Sequence, residues 1–232
     1  MSIPRSISEA LQNPHWVQAM QAEMAALQHN HTWDLVSLPP GEKTVGCKWV
    51  YAVKHLPDGS IDRYKARLVA KGFTQIPGKD FSATFAPVAK LTTVRLLVSL
   101  AASQSWPLYQ LDVKNAFLNG DLQETIYMDP PPGFRAEGEC SGKVCKLRKS
   151  LYGLKQSPRA WFSRFSNVVL SMGFIRCHSD HTCFIRRRPD GRCIILSVYV
   201  DDIIITGNDT AEITRVKAKL GTTFDVKDLG LL

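Results

Sequence analysis

Tyr199-Val200-Asp201-Asp202 stands between two apolar runs, Ile194 to Val198 and Ile203 to Ile205. Short runs rich in Ile and Val read as strands, so these four residues form the turn of a strand-turn-strand unit. A plain hairpin would carry Asn-Gly or Asp-Gly there. Two adjacent carboxylates instead repel each other unless a cation or a basic partner compensates them. A divalent metal is the natural compensator. Magnesium takes oxygen ligands, usually one or two carboxylates plus substrate phosphates, and keeps several waters. A third carboxylate, Asp112, ends the strand-like Tyr109-Gln110-Leu111, where a side chain can reach a neighbouring strand's turn.

Working outward, Asn13-Pro14 reads as a helix cap and first helical position, followed by a stripe of Trp16, Met20, Met24 and Leu27 that is core and carries no chemistry. From Cys47 to Ala70 the period changes to two, with Pro57-Asp58-Gly59 as the turn of a hairpin. On its second strand Arg63, Lys65 and Arg67 project from one face and Tyr64, Ala66 and Leu68 from the other. A charge run of this kind, taken alone, is more often a solvated strand face that deters aggregation. Lys90 to Ser103 is helical by period, and Trp106-Pro107 ends it before a strand from Leu108 to Val113. Pro130-Pro131-Pro132-Gly133 is a stiff connector, Lys143 to Leu147 a short strand, and Ser157-Pro158 opens a helix running to about Met172. Strands at Thr182 to Arg187 and Arg192 to Val198 are joined by Pro189-Asp190-Gly191, with another at Ile203 to Thr206. A last helix is capped by Asp209 with Glu212 three residues on, and Gly221 ends it.

The 232 residues, 44% of them hydrophobic, suffice for one large domain or two closely packed lobes. Lys and Arg (29) exceed Asp and Glu (21), a net charge of +8 that favours a polyanionic partner such as nucleic acid. The six cysteines are irregularly spaced in a chain too large to need staples, so reduced thiols and no structural disulfide are expected. No apolar run approaches the roughly 18 to 20 residues of a membrane span. The longest, Cys193 to Thr206, is broken by Asp201 and Asp202. The expected location is intracellular and cytoplasmic, with organelle targeting left open by Met1 to Ser8. Cys177-His178 and His181-x-Cys183 are zinc-ligand types at poor spacing and read as a loop entering a strand, and His29 and His31 beside Trp33 as a surface turn.

Leu111-Asp112-Val113-Lys114-Asn115-Ala116-Phe117-Leu118-Asn119-Gly120 and Tyr199-Val200-Asp201-Asp202 resemble the first and third catalytic motifs of reverse transcriptases, in the form used by copia-type LTR retrotransposons. Gly46-Cys47-Lys48-Trp49-Val50, Tyr64 to Phe73, Phe85-Ala86-Pro87-Val88, Leu151 to Pro158 and Trp161 are similar to the same family. The resemblance runs from about Ser8 to the last residue. It departs at Tyr152, where many retroviral relatives have glutamine, and at Ala83, where relatives often carry glutamate.

The resemblance implies an α+β fold: a palm of antiparallel sheet backed by helices plus fingers, a right-hand polymerase fold lacking the thumb. The expected division is 1–40 as an N-terminal helical extension, 41–107 as fingers, and 108–232 as palm with intervening fingers elements, ending before the primer grip. It implies an RNA-directed DNA polymerase that uses two magnesium ions, manganese being a possible substitute, to join a deoxynucleoside triphosphate to a primer on an RNA or DNA template. Asp112, Asp201 and Asp202 would be catalytic and, with the carbonyl of Val113, metal-holding. Lys65, Arg67, Phe117, Tyr152 and Gly153 would serve the incoming nucleotide, Phe117 as the gate against a ribose 2′-hydroxyl. Arg63, Lys155 and Tyr199 would contact nucleic acid. Phosphate contacts carry no base code, so template choice would be independent of sequence and binding would weaken with salt. No membrane is involved, and the oligomeric state is left open. The alternatives are an inactive transposon remnant that folds or binds nucleic acid, and a cellular nucleotidyltransferase, against which the long co-linear match argues.

Overall fold

The computed structural model describes residues 3–134 and 142–232, and Cys140 lies outside them. In chain order the elements are α1 (Ile7–Leu11), α2 (Pro14–His29), β1 (Trp33–Ser37), β2 (Thr44–Val45), β3 (Cys47–His55), β4 (Ile61–Ala70), α3 (Leu91–Ser103), β5 (Leu108–Val113), β6 (Tyr127–Met128), β7 (Lys143–Leu147), α4 (Ser157–Ser171), β8 (Ile175–Arg176), β9 (Cys183–Arg187), β10 (Cys193–Tyr199), β11 (Asp202–Gly207), α5 (Thr210–Thr223) and β12 (Val226–Leu231). They form two compact units, the described residues of Met1–Thr84 with Asp121–Ser157, and those of Phe85–Gly120 with Pro158–Leu232. No helix among the described residues is long and apolar enough to cross a membrane.

In the first unit α2 starts as the sequence says, Asn13 Oδ1 accepting from His15 N at 3.0 Å with Pro14 in the first turn. Its buried stripe is Trp16, Met20, Glu23 and Leu27, so a glutamate takes the place the sequence reading gave to Met24. The helix lies on β4, with Trp16 edge-on to Tyr51 and Tyr64 at 5.3 and 4.8 Å between centroids. β3 and β4 pair alone as a hairpin from Cys47↔Ala70 to His55↔Ile61. A second sheet runs β1-β7-β6-β2, antiparallel except for the parallel β2–β6 pair. Residues 3–40 group with this unit, where α2 covers β4 and β1 pairs with β7.

The second unit is one antiparallel sheet in the order β12-β5-β11-β10-β9-β8. Side chains alternate across a strand. Leu111, Val113, Ile194, Leu196, Val198, Ile203 and Ile205 point to one face, where they meet Trp161, Phe165 and Val169 of α4 and Ile213, Val216 and Leu220 of α5. The opposite face receives α3, whose Leu97 and Leu100 pack with Cys183, Ile185 and Ile195. The segment from Phe85 to Pro107, which the expected division put with the fingers, groups with this unit, where α3 buries its apolar side on the sheet.

One local reading changes, at the end of the last helix. α5 runs through Gly221 to Thr223 and ends where Phe224, buried in the core, donates its N–H to Leu220 O at 2.8 Å. The loop from Cys177 to Cys183 is organised by Asp180. Its Oδ2 accepts from Lys90 N and Thr93 Oγ1, capping α3 from a distant part of the chain, and its Oδ1 accepts from Thr182 N and Oγ1. The five described cysteines are free. Burial pushes the Cys47, Cys145 and Cys183 thiols up to about 12, which disfavours the thiolate that a metal would need.

Candidate active site

The β10–β11 register, ending at Val198↔Ile203 and Tyr199↔Asp202, leaves Val200 and Asp201 as a two-residue turn. Such turns demand a positive φ at one or both central residues, a place usually taken by glycine or asparagine. Val200 supplies it at φ 56. A branched side chain in the left-handed region costs roughly 1–2 kcal/mol, so the surroundings must hold it there. Trp161, 2% exposed within the core, donates Nε1–H to Val200 O at 2.6 Å. Val113 donates N–H to Asp201 O at 2.8 Å. The turn is therefore fixed from both sides, by α4 and by the end of β5.

The β5–β11 register sets Asp112 directly across from Asp202 and Leu111 across from Ile203. Because Leu111 and Ile203 face the helices α4 and α5, Asp112 and Asp202 share the other face. Gln110 Nε2 donates to Asp202 Oδ1 at 3.0 Å. β12 adds Lys227 as the register partner of Asp112 on its other side, and the Lys114 Nζ–Asp225 Oδ1 pair at 3.1 Å fastens the start of that strand. Tyr199 is 52% exposed. Phe117 sits in a 3-10 turn, Ala116–Asn119, and packs against the core edge. Among the described residues no three His, Cys, Asp or Glu side chains gather closely enough to hold a metal ion. The structure thus brings two of the three carboxylates onto one face and puts Asp201 in the adjoining turn. Their oxygen-only donor set fits a hard cation such as magnesium or manganese.

In the first unit the sequence-selected basic residues also come together. Pairing of Val50↔Arg67, Ala52↔Lys65 and Lys54↔Arg63 puts Lys48 and Lys54 of β3 on the same face as Arg63, Lys65 and Arg67. The sequence reading passed over the two β3 lysines, although the period-two run Lys48-Val50-Ala52-Lys54 marked them. The Arg67 guanidinium lies 4.2 Å above the Tyr152 ring, a cation–π arrangement. Tyr152 O accepts from Ala70 N at 2.7 Å, and Gly153 follows at φ 91. A Cβ on Gly153 would stand 2.1 Å from Ala70 O, so only glycine permits this crossing of chains. Lys155 is held locally, its N–H on Gln75 Oε1 at 2.9 Å and its Nζ 4.9 Å from the Phe81 ring centroid. Arg63 meets Asp62 at 3.7 Å in an exposed pair of little energetic weight. Burial first, then the charges of Arg67, Lys54 and Arg63, lower the pKa of Lys65. The charge of Glu23 works the other way on Lys65.

A family model described as "Reverse transcriptase (RNA-dependent DNA polymerase)" matches residues 30–232. The chain is 48% identical over 229 residues to the "Retrovirus-related Pol polyprotein from transposon RE1" of Arabidopsis thaliana, covering 98% of this chain and 15% of that protein. It is 47% identical over 230 residues to the polyprotein from transposon TNT 1-94 of Nicotiana tabacum, covering 98% of this chain and 17% of the relative. A Ty1-GR3 Gag-Pol polyprotein of Saccharomyces cerevisiae is 26% identical over 222 residues, 93% of this chain and 12% of the relative. The chain thus spans a small fraction of the length of these polyproteins.

Proposed function

This chain belongs to the reverse transcriptase family in its copia-type retrotransposon form, and from that membership we propose that it is the RNA-directed DNA polymerase segment of a Pol polyprotein. In this reading the second unit is the palm and the first unit the fingers of a right-hand polymerase. The observation that carries the reading is the register that sets Asp112 across from Asp202 on an open sheet face, beside a turn whose backbone is fixed around Asp201. A solvated surface turn would have no use for a strained valine or for two hydrogen bonds that hold it.

Asp112, Asp201 and Asp202, with the Val113 carbonyl, would hold two magnesium ions, which supply Lewis-acid activation of the primer 3′-hydroxyl and neutralise charge on the leaving phosphates. The chain's own residues supply position. Lys65 and Arg67 take the triphosphate, Arg67 through the planar fork of donors that suits phosphate oxygens. Phe117 excludes a ribose 2′-hydroxyl, so the product is DNA. Tyr152 and Gly153 lie along the nascent base pair, and Arg63, Lys155 and Tyr199 contact template and primer.

Primer extension by the purified chain on an RNA template, with magnesium and deoxynucleotides, tests the proposal beside the double variant Asp201→Asn, Asp202→Asn. Extension that falls at least about 1000-fold in the variant is the expected result, the scale of losing electrostatic stabilisation at a reacting centre. Equal extension by both proteins overturns the assignment of the carboxylates. Template binding without extension by either protein favours the second reading, a chain that folds and binds nucleic acid without turnover.

A further inference from the structure

Two amides of the first unit, Gln75 and Gln156, lie outside every strand and helix and are nonetheless only 4% and 2% exposed. An amide is costly to bury unless its groups are hydrogen-bonded. Gln75 Oε1 accepts the Lys155 N–H at 2.9 Å, Gln75 Nε2 donates to Gln156 Oε1 at 3.0 Å, and Gln156 Nε2 donates to Asp80 O at 2.9 Å. The two ends of this bridge are backbone groups that cannot exchange roles, a donor at Lys155 and an acceptor at Asp80. Both amides are therefore fixed in orientation, and neither can turn over without breaking the bridge. The bridge lies where the end of β4 meets the loop after Leu151. There Ala70 N–H donates to Tyr152 O at 2.7 Å. A Cβ on Gly72 would stand 2.0 Å from Gly153 O and 3.0 Å from Gln75 Oε1, so the two segments are in close backbone contact. Lys155 Nζ adds a longer bond to Gln75 O at 3.4 Å. Apolar packing is non-directional, whereas a fully satisfied buried polar network specifies one arrangement.

We propose that Gln75 and Gln156 are positioning residues that set the Tyr152–Lys155 loop against the end of β4, and with it the spacing between the new base pair and the triphosphate. The inference rests on the assignment of Tyr152 and Gly153 to the base pair and of Lys65 and Arg67 to the triphosphate. An incoming nucleotide must satisfy both at once, its phosphates on β4 and its base beside the loop. The loop is tied on each side of Gly153, by Tyr152 O to the strand and by Lys155 N–H to the amide bridge. Without the bridge it keeps the first tie and loses the second, so the base and the phosphates of one nucleotide no longer fit together.

The test compares two ligands by calorimetric titration with magnesium, on the chain bound to a primer–template ending in a dideoxynucleotide, so that turnover is not needed. One ligand is the deoxynucleoside triphosphate that matches the template base, and the other is inorganic tripolyphosphate, which has no base. Gln75→Leu should weaken the nucleotide about tenfold, the scale of one net hydrogen bond, and leave tripolyphosphate within about twofold. Gln156→Leu should do the same, and the two together should cause no further loss, because each breaks one and the same bridge. Gln75→Asn keeps both amide groups but is one methylene short of the gap. It should give the same selective loss, and it serves where Gln75→Leu does not fold. Nucleotide affinity that is unchanged, that falls in equal proportion with tripolyphosphate, or that falls additively in the double variant overturns the inference and leaves the amides a fastening of the fold. An unaltered chain that binds the nucleotide no more tightly than tripolyphosphate overturns the assignment of Tyr152 and Gly153 to the base pair, and the inference with it.

Discussion

The carboxylate hairpin of β10–β11 and the basic hairpin of β3–β4 are both antiparallel pairs, but they differ in how the turn and the edges are held. The first turns in two residues with a valine at φ 56, and strands β9 and β5 flank it on both sides. The second turns through Pro57-Asp58-Gly59, with Gly59 at φ 85 and Asp58 Oδ1 accepting from Ser60 N and Oγ at 2.9 and 2.6 Å. Its positive φ falls on a glycine, and among the described residues no third strand joins the pair. Its free edge is held by a side chain of α2 and by the carbonyl of Tyr152. A sheet interior fixes side chains to within a fraction of an ångström, which suits the reacting role proposed for these carboxylates. A lone hairpin with a few external fastenings can adapt, which suits the nucleotide-receiving role proposed for it.

The largest effect expected from breaking this contrast is at the fastening of the basic hairpin. Gly153→Ala introduces a Cβ 2.1 Å from Ala70 O and 2.7 Å from Val69 Cγ1 at a positive φ. Neither a backbone carbonyl in a strand nor a neighbouring branched side chain has room to yield. A cost above about 3 kcal/mol is expected from combined overpacking and backbone strain. Hydrogen exchange should find β4 amides losing protection while β10 and β11 amides retain theirs. Equal loss of protection in both hairpins would mean that they are not independently held.

Acid should separate the two units next. In the second unit burial tends to raise the Asp180 pKa, but hydrogen bonds from Thr182, Thr93 and the Lys90 N–H outweigh it and hold the carboxyl near 2. A carboxyl whose folded pKa lies below its unfolded value of 3.8 gives stability that is complete above that value and is lost as pH falls toward 2. The loss amounts to about 2 kcal/mol, and Asp180→Asn should flatten it. Glu23 in the first unit has the opposite sign, since its folded pKa is raised mainly by burial. Its contribution is present below the unfolded value of 4.5 and is lost as pH rises through the folded one. Chemical denaturation from pH 6 to pH 2 should therefore find Glu23→Gln altering only the upper part of that range and Asp180→Asn only the lower part.

What the sequence revealed and what it hid divide along the same physical line. Asp112, Asp201 and Asp202 were readable because each sits in a local pattern, a short apolar strand that ends in a charge. The shared face of Lys65 and Arg67 was readable from period two, but their link to a nucleotide came only from the family resemblance. Glu23, Asp180 and Trp161 were not readable, because each acts on a partner far away in the chain: Leu68, Lys90 and Val200 respectively. Strand β12 was hidden because a bulge between Asp228 and Gly230 interrupts its alternation, and β2, β6 and β8 because two residues carry no period. The helix end assigned to Gly221 failed because burial of Phe224, three residues on, decides where α5 stops.

The smallest stability effect should come from the anchor of the carboxylate turn, and it is the one that best separates precision from stability. Trp161→Phe keeps most of the buried ring but removes the indole N–H that reaches Val200 O at 2.6 Å. Val200 is itself 44% exposed, so water can replace the lost donor, and a cost of about 1 kcal/mol is expected. The effect on turnover should be larger than that stability loss suggests. The strained valine would then be held on one side only, through the Val113 N–H on Asp201 O, and a positional error near 1 Å at a reacting group costs on the order of 100-fold in rate. Single-nucleotide incorporation should give a kcat reduced at least about tenfold with KM for the triphosphate little changed, since the basic hairpin is untouched. A change in KM with kcat preserved would place the function of Trp161 in nucleotide binding and remove the proposed division between the two hairpins.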